Sequence, residues 1–368
     1  MKKITCFIES LSGGGAEHQM AILAGFLAEE GYDVTVVTYA DVDDHYKLSE
    51  SVNREKIYKT KFGIIKLFAI FFYFLKVKTD CVISYRQACN ARVLIPLFLR
   101  RRITVICSER NLSNGVQDKY ERALFGLLYK RADKIVTNSF SQERFIRNHY
   151  PEYEGKLLTI CNYTDLEVYK PLIPKPPSKV IKVAIFARFS EQKNCKRFVQ
   201  SMAMLKKKTD IPFEIHWFGN HYENNEYSKA YCDVLDLLEK EQMQDYFYIH
   251  PPVKKTERYI TKFDAICLPS LYEGFSNSVA EAICCGMPML VSNVSDNSVM
   301  VQDGINGFLF DPYNECEIVT SFLKFFSASE SKRIEMGEHS YEIARSLFDK
   351  HRFIQTYKNL IENEGNNA

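Results

Sequence analysis

The sequence predicts an α/β protein of two doubly wound domains, each a parallel sheet with helices on both faces, facing one another across a cleft. Three observations predict it. Short apolar runs rich in β-branched residues alternate with helical patterns from the N-terminus onward, the order a parallel sheet with crossover helices requires. Four prolines crowd between Pro171 and Pro177, and the alternation starts afresh beyond them, as across a stiff extended linker. The 368 residues exceed one ordinary core and suit two of about 150–200 residues each.

The elements follow in order. Lys3–Ile8 is a short apolar strand, and Ser12-Gly13-Gly14-Gly15 is a turn. Helical spacing of Met20, Leu23, Ala24 and Leu27 marks Ala16–Glu30 as a helix that Gly31 stops. Val34–Tyr39 is a second strand; Cys81–Ser84, Thr104–Cys107, Lys134–Thr137 and Leu157–Cys161 are further ones. After the prolines come Val180–Ala187, Phe213–Phe218, Tyr246–His250, Ala265–Leu268 and Met289–Ser292. The expected domains are 1–172 and 178–345. The stretch Phe348–Ile361 has helical spacing and no downstream partner of its own.

Composition excludes several classes. Apolar residues make up 46% and charged residues 26%, an ordinary globular balance that rules out disordered and collagen-like chains. Net charge is +2, yet Arg54 to Arg110 holds thirteen Lys or Arg against three acidic residues. Such a basic region suggests an anionic partner, either substrate phosphates or lipid headgroups. The eleven scattered cysteines form no CxxC pair and read as buried reduced thiols of a cytoplasmic protein. The N-terminal apolar run is too short for a signal peptide. Phe62–Leu75, FGIIKLFAIFFYFL, has fourteen residues with Lys66 inside, short of the ~18 that span a bilayer. It is either a buried helix or one lying in a membrane interface.

Three places carry chemistry. The glycine turn ending in Gly14 and Gly15 sits between a strand and a helix, where bare backbone can approach a phosphate; a plain tight turn reads the same way. His18 stands where a dinucleotide fingerprint would need its third glycine. Arg188 and Lys193 follow the first strand of the second half and either clamp a diphosphate or form a solvated basic loop. Richest is Pro269–Pro288. There Glu273 and Gly274 lie in a loop, Ser276 or Asn277 can cap a helix carrying Glu281, and Gly286 ends it. Backbone N–H groups at Phe275, Ser276 and Asn277 would suit a phosphate, and the two carboxylates would suit hydroxyls of a sugar and a ribose. Rival signals are weaker. Asp41-Val42-Asp43 follows the second strand and reads as a polar loop. His216 and His221 have no carboxylates at ligand spacing, so no metal is expected. No Walker A motif or nucleophile elbow is present, and nucleic acid is not an expected partner.

These residues resemble family 4 glycosyltransferases. YEGFSNSVAEAICCGMPMLVS is similar to the family's E-x7-E signature, with Glu273 and Glu281 as its glutamates; ARFSEQKN, LSGGGAEHQMAILAGFLAEEGYDVTVVT and VQDGINGFLFDP match its other segments in the expected order. The resemblance implies a GT-B fold of two Rossmann-like domains, with the C-terminal segment 348–368 packing back on the first, and a retaining, metal-independent transfer from a nucleotide-diphosphate sugar, with no cofactor. It implies that Glu273 contacts the donor sugar, that Gly274, Phe275, Ser276 and Asn277 line the sugar and phosphate, and that Glu281 holds the ribose. Arg188 and Lys193 would neutralise the diphosphate, with Gly14 and Gly15 approaching it. The histidine many relatives carry in the first domain has no counterpart near Ser108-Glu109-Arg110-Asn111. That stretch resembles a subgroup of bacterial surface-polysaccharide transferases, which puts Glu109 and Arg110 on the acceptor side. Pro251 replaces a glycine common before the base-binding loop. The reading is therefore transfer of a hexose or N-acetylhexosamine, with a UDP-sugar as donor and a glycan or lipid-linked molecule as acceptor, in the cytoplasm and with peripheral contact to an anionic inner membrane face. A sugar-nucleotide epimerase or phosphorylase, or a non-catalytic binder, is the alternative.

Overall fold

The computed structural model describes residues 1–12, 14–57, 63–110, 125–171, 179–220 and 226–362. Gly13, Phe62, Asn111, His221 and the expected linker prolines Pro174, Pro176 and Pro177 lie outside the described residues. The chain divides into two compact units, Met1–Tyr163 with Asp349–Ala368 and Thr164–Phe348.

The first unit holds β1 (Lys3–Phe7), β2 (Asp33–Thr38), β3 (Asn53–Lys56), β4 (Cys81–Tyr85), β5 (Thr104–Glu109), β6 (Lys134–Thr137) and β7 (Leu157–Thr159). They pair in parallel in the order β3-β2-β1-β4-β5-β6-β7. Side chains alternate across such a sheet, and the two faces build separate cores. Phe7, Val82, Val105 and Ile135 enter one, and their neighbours Cys6, Ile83, Ile106 and Val136 the other. Strands buried on both faces read as continuous apolar runs, which is why β1, β4, β5 and β6 stand out in the sequence. Edge strand β3 does not. Its sequence is NREK and it is largely exposed, charge placed where a bare edge would otherwise invite pairing.

The Lys350–Glu362 helix belongs to this unit. Tyr357, Leu360 and Ile361 complete the second core, the Tyr357 hydroxyl lies 3.0 Å from that of Tyr85, and Lys358 pairs with Glu30 at 2.7 Å.

The second unit holds β8 (Ile181–Phe186), β9 (Phe213–Phe218), β10 (Phe247–His250), β11 (Ala265–Leu268), β12 (Met289–Ser292) and β13 (Gly307–Phe310). The order is β10-β9-β8-β11-β12-β13, again parallel. Trp217, the chain's one tryptophan, is fully buried in its core. In both sheets successive strands are laid down first to one side and then to the other. The switch falls between β1 and β4 in one and between β8 and β11 in the other. Loops at the carboxyl ends of such neighbours diverge and leave a crevice for a ligand.

All eleven cysteines are free thiols, eight of them buried; Cys161 is half-buried, and Cys232 and Cys316 are exposed. Burial pushes the Cys6 thiol up to about 12, far from a reactive thiolate.

Candidate functional site

The motif residues of the second unit gather at its switch point. Arg188 follows β8, and its Nη2 donates to Gln192 Oε1 at 3.0 Å. A single 3₁₀ turn, Glu191–Lys193, then leads through Asn194, in left-handed conformation at φ 57°, into the Cys195–Lys206 helix. The turn is laced to the loop after β11. Leu271 N–H donates to Gln192 O at 2.8 Å, and Gln192 Nε2 donates to Tyr272 O at 3.0 Å. These bonds bring Lys193 Nζ within 2.5 Å of Glu273 Oε1, with side chains 15% and 8% exposed. A cation and a carboxylate held this close, with so little water, are fixed in place. Separating such a pair by truncating one partner commonly costs about 3–5 kcal/mol.

Beyond Glu273 the chain turns into the Asn277–Cys284 helix. Ser276 occupies the capping position, but neither it nor Asn277 acts as the expected side-chain cap, since the helix has no side-chain cap bond. The Ser276 hydroxyl donates instead to Asn297 Oδ1 at 2.8 Å, and Asn297 Nδ2 is in turn bonded to Ser292 O at 2.9 Å. The serine is drawn into the core, and its hydroxyl is withdrawn from the helix's first amides. The loop is braced again by Ser295, whose hydroxyl donates to Gly274 O at 2.7 Å. Phe275 is buried and meets the Phe348 ring edge-on. The helix stops at Gly286, φ +66°, where a Cβ would lie 3.2 Å from Pro171 Cγ.

Glu281, inside this helix, is half-buried. Burial pushes its carboxyl from an ordinary 4.5 up to about 7, against the opposing pull of hydrogen bonds from Thr256 and Tyr169. Thr256 Oγ1 donates to Glu281 Oε2 at 2.9 Å, and Tyr169 and Thr256 share a 3.1 Å hydroxyl contact. The two glutamates thus have separate surroundings. Glu273 is ion-paired, and Glu281 is held by hydroxyls in a dry setting that makes it a strong acceptor when ionised.

At the switch point of the first unit, Gly14 (φ +129°) precedes the Gly15–Glu29 helix. A Cβ at Gly14 would lie 2.5 Å from Glu17 Oε2, so the bare backbone is what lets Glu17 fold beneath the turn. Glu17 Oε1 pairs with Arg86 Nη1 at 2.9 Å, and Glu9 Oε2 lies 3.6 Å from the same atom. Arg86 follows β4 with φ 81°, a conformation costly for a side-chain-bearing residue. Sequence patterns gave no sign of it: positive φ at an arginine has no composition signal. Among the described residues, two of the four non-glycine residues with positive φ, Arg86 and Asn194, stand at these two switch points, and a third, Ser295, follows β12 and braces Gly274. Strain of this kind concentrates where function holds the chain in place.

Glu109 and Arg110 end β5 differently from expectation. Glu109 is 6% exposed, and its carboxylate accepts hydrogen bonds from the Tyr129 hydroxyl and from Asn90 Nδ2; burial raises its pKa. Arg110 is 7% exposed, lies 3.8 Å over the Tyr85 ring and donates to Asn162 Oδ1 at 2.6 Å. Both side chains take part in internal networks, while Arg110 Nε is buried with no partner among the described residues.

His216 has a carboxylate neighbour after all. Glu214 is two residues back on β9 and so on the same face; its Oε2 is 3.0 Å from His216 Nε2, and His250 Nε2 is 2.9 Å from His216 Nδ1. Among the described residues no three His, Cys, Asp or Glu gather as metal ligands.

Comparison with known proteins agrees with this architecture. Residues 13–168 match the model described as Glycosyltransferase Family 4, and residues 171–343 the model described as Glycosyl transferases group 1. An uncharacterized glycosyltransferase of Methanocaldococcus jannaschii is 22% identical over 95% of both chains. A Campylobacter jejuni α-1,4-N-acetyl-D-galactosaminyltransferase, named for an acceptor linked to undecaprenol diphosphate, is 23% identical over 77% of each. Among solved structures, Anabaena HepE in complex with UDP-glucose superposes with a TM-score of 0.82 at 16% identity, covering 99% of this chain and 100% of that one. With both halves matched in order, the chain belongs to the family 4 glycosyltransferases, enzymes of the GT-B type.

Proposed function

We propose that the protein transfers a hexose or N-acetylhexosamine, with retention of configuration, from a nucleotide-diphosphate sugar, a UDP-sugar, to a glycan or lipid-linked acceptor in bacterial surface-polysaccharide synthesis. The observation that carries this reading is the Lys193–Glu273 pair at the β8/β11 switch point, with Arg188 beside it. The hard step is departure of the nucleoside diphosphate from the anomeric carbon. Negative charge then builds on the leaving phosphate oxygen, and fixed donors aimed there lower the barrier, each by about 2.7–4 kcal/mol where one has been removed. Lys193, Arg188 and the amino end of the Asn277–Cys284 helix supply such donors. Glu273 can keep Lys193 on one oxygen while accepting a sugar hydroxyl on the other. Ionised Glu281 would accept the ribose hydroxyls. In a retaining reaction the acceptor attacks from the face the diphosphate leaves, and the departing phosphate takes the acceptor proton, so no side-chain base and no metal is required. The UDP-glucose complex of HepE supports the choice of donor, and the C. jejuni relative's named acceptor supports a lipid-linked one.

Contact with the inner face of an anionic membrane belongs to the same proposal. No helix among the described residues is long and apolar enough to cross a bilayer. The Gly63–Lys76 helix buries only Ile70 and Phe74. Ile64, Ile65, Leu67, Phe68 and Phe72 are each about half exposed or more, between 48% and 69%, a concentration of apolar surface that marks an interaction face. Lys66, which interrupts the run in sequence, turns to lie 5.9 Å over the Tyr39 ring. The basic stretch offers less free charge than its composition implies. Arg54 pairs with Asp44, Arg86 with Glu17, and Arg100 donates to the carbonyls of Phe74 and Val77.

Acceptor-dependent release of UDP tests the transfer. Incubated with UDP-sugars and a bacterial lipid extract, the enzyme should liberate UDP only when acceptor is present. Donor epimerised without acceptor would favour an epimerase, and donor bound but never consumed would favour a binder.

A further inference from the structure

A second cavity in the Thr164–Phe348 unit is assigned to nothing so far. It has a volume of 780 Å³ and opens beside Arg188, between the start of the Cys195–Lys206 helix and the Glu226–Lys240 helix. Lys193, Glu273, Glu281 and residues 274–276 do not line it, whereas Arg188 does, so the cavity adjoins the proposed diphosphate contacts at Arg188 and lies apart from those with sugar and ribose. Its size lies within the range of ligand pockets, about 300–1,000 Å³.

The lining has a distinctive chemistry. Tyr272 and Tyr313 line it and are 41% and 63% exposed, an unusual degree for large aromatic residues. Arg197 lies 5.6 Å over the Tyr313 ring, leaving a flat apolar plate beside a cation. Gln192 and Gln200 add amides able both to donate and to accept. Four cations, Arg188, Lys196, Arg197 and Lys229, face two carboxylates, Glu191 and Asp233, and Lys196 is already paired with Asp233 at 2.5 Å. Lastly, Ser190, a residue only 6% exposed, lines the same cavity, and its hydroxyl oxygen, itself buried, has no hydrogen-bond partner among the described residues. Buried polar atoms are rarely left so.

Apolar plates, a polar wall of amides and surplus positive charge together fit one chemical class. A sugar ring offers C–H groups on its faces and hydroxyls around its edge, and an acidic substituent answers the cations. We propose that this cavity binds an anionic saccharide, a uronate or a sugar phosphate. Such a ligand is either an acidic residue within the glycan acceptor or a free sugar acid or phosphate; the first of these rests on the transferase reading above.

Calorimetric titration of the full-length protein tests it, with glucuronate, glucose 6-phosphate, glucose and inorganic phosphate as probes, and UDP titrated into the same samples. Glucuronate and glucose 6-phosphate should bind at least about tenfold tighter than glucose or phosphate alone, because ring and charge act together. Tyr313→Ala, Arg197→Ala and Lys229→Ala should each weaken the two sugar anions by about tenfold and leave UDP affinity unchanged. A tetrasaccharide alternating glucuronate and N-acetylglucosamine separates the two sources. If it binds tenfold tighter than glucuronate, the ligand is part of a glycan chain; if no tighter, it is a free sugar acid or phosphate. No binding of either sugar anion at millimolar concentration, or binding indifferent to all three substitutions, overturns the proposal. With UDP still bound, that result leaves the transferase reading intact, whereas loss of UDP binding in the unsubstituted protein would strike that reading instead.

Discussion

Replacing Glu281 by glutamine separates its cost to the fold from its use in binding. A rise from 4.5 to about 7, at about 1.4 kcal/mol per pH unit, sets a ceiling of roughly 3 kcal/mol. The sign follows from proton linkage. The folded state holds the Glu281 proton more tightly than the unfolded chain, so protonation favours folding. That contribution is fully present below about pH 4.5 and is lost as pH rises through about 7. Glutamine keeps an oxygen for Thr256 and carries no charge. Glu281→Gln should therefore stabilise the second unit by up to about 3 kcal/mol at pH 8 and change it little at pH 5. Trp217, the single tryptophan and buried in that unit, makes its fluorescence a local reporter of urea unfolding. With m about 1–3 kcal/mol/M, the midpoint should move up at pH 8, by at most about 1–3 M. The same variant should lose affinity for UDP-glucose, because the neutral amide is a poorer acceptor for two hydroxyls. Equal midpoints at pH 8, or an equal gain at both pH values, would refute the reasoning.

Further outcomes are expected. Arg188→Ala and Lys193→Ala should each lower turnover by about 10²-fold or more in steady-state assays, with Trp217 fluorescence confirming the fold; near-normal turnover in both would put the diphosphate elsewhere. Activity should survive EDTA, and abolition with rescue by Mn²⁺ would return attention to Asp41 and Asp43. Gly14→Ala should cost about 1 kcal/mol or more, since its φ is +129° and its Cβ would displace Glu17 from Arg86. Hydrogen exchange in β1 and β4 reads that loss, and unchanged protection would count against it. Co-sedimentation with anionic liposomes should fall as salt rises and when Phe68 and Phe72 are both changed to Ser; a protein that stays in the supernatant at low salt has no such membrane face.

How legible the molecule was in its sequence depended on what each residue answers to. Central strands such as Cys81–Tyr85 are buried on both faces, and that leaves a continuous apolar run. Asn53–Lys56 answers to edge protection instead, so its charges hid a strand. Gly307–Phe310 lay within a recognised motif, but its burial is confined mainly to Gly307 and Phe310, too weak a run to mark a strand. Arg188, Lys193 and Glu273 came together because strand ends and short loops leave them few alternatives. The partners of Ser276, Glu109 and Arg110, namely Asn297, Tyr129 and Tyr85, could not be read in advance, because they are supplied by tertiary packing that local patterns do not encode. The apolar 62–75 run left burial and exposure equally open; which side of a helix faces out is decided by the neighbours it packs on.

The most direct test of the central claim is a time course of ¹H NMR spectra with UDP-glucose and a lipid-linked or glycan acceptor. Under retaining transfer the donor's α-anomeric signal declines only when acceptor is present, UDP appears in step, and the new glycosidic signal keeps the small α-type coupling. A β-configured product would contradict retention, and loss of donor without a new linkage would contradict transfer itself.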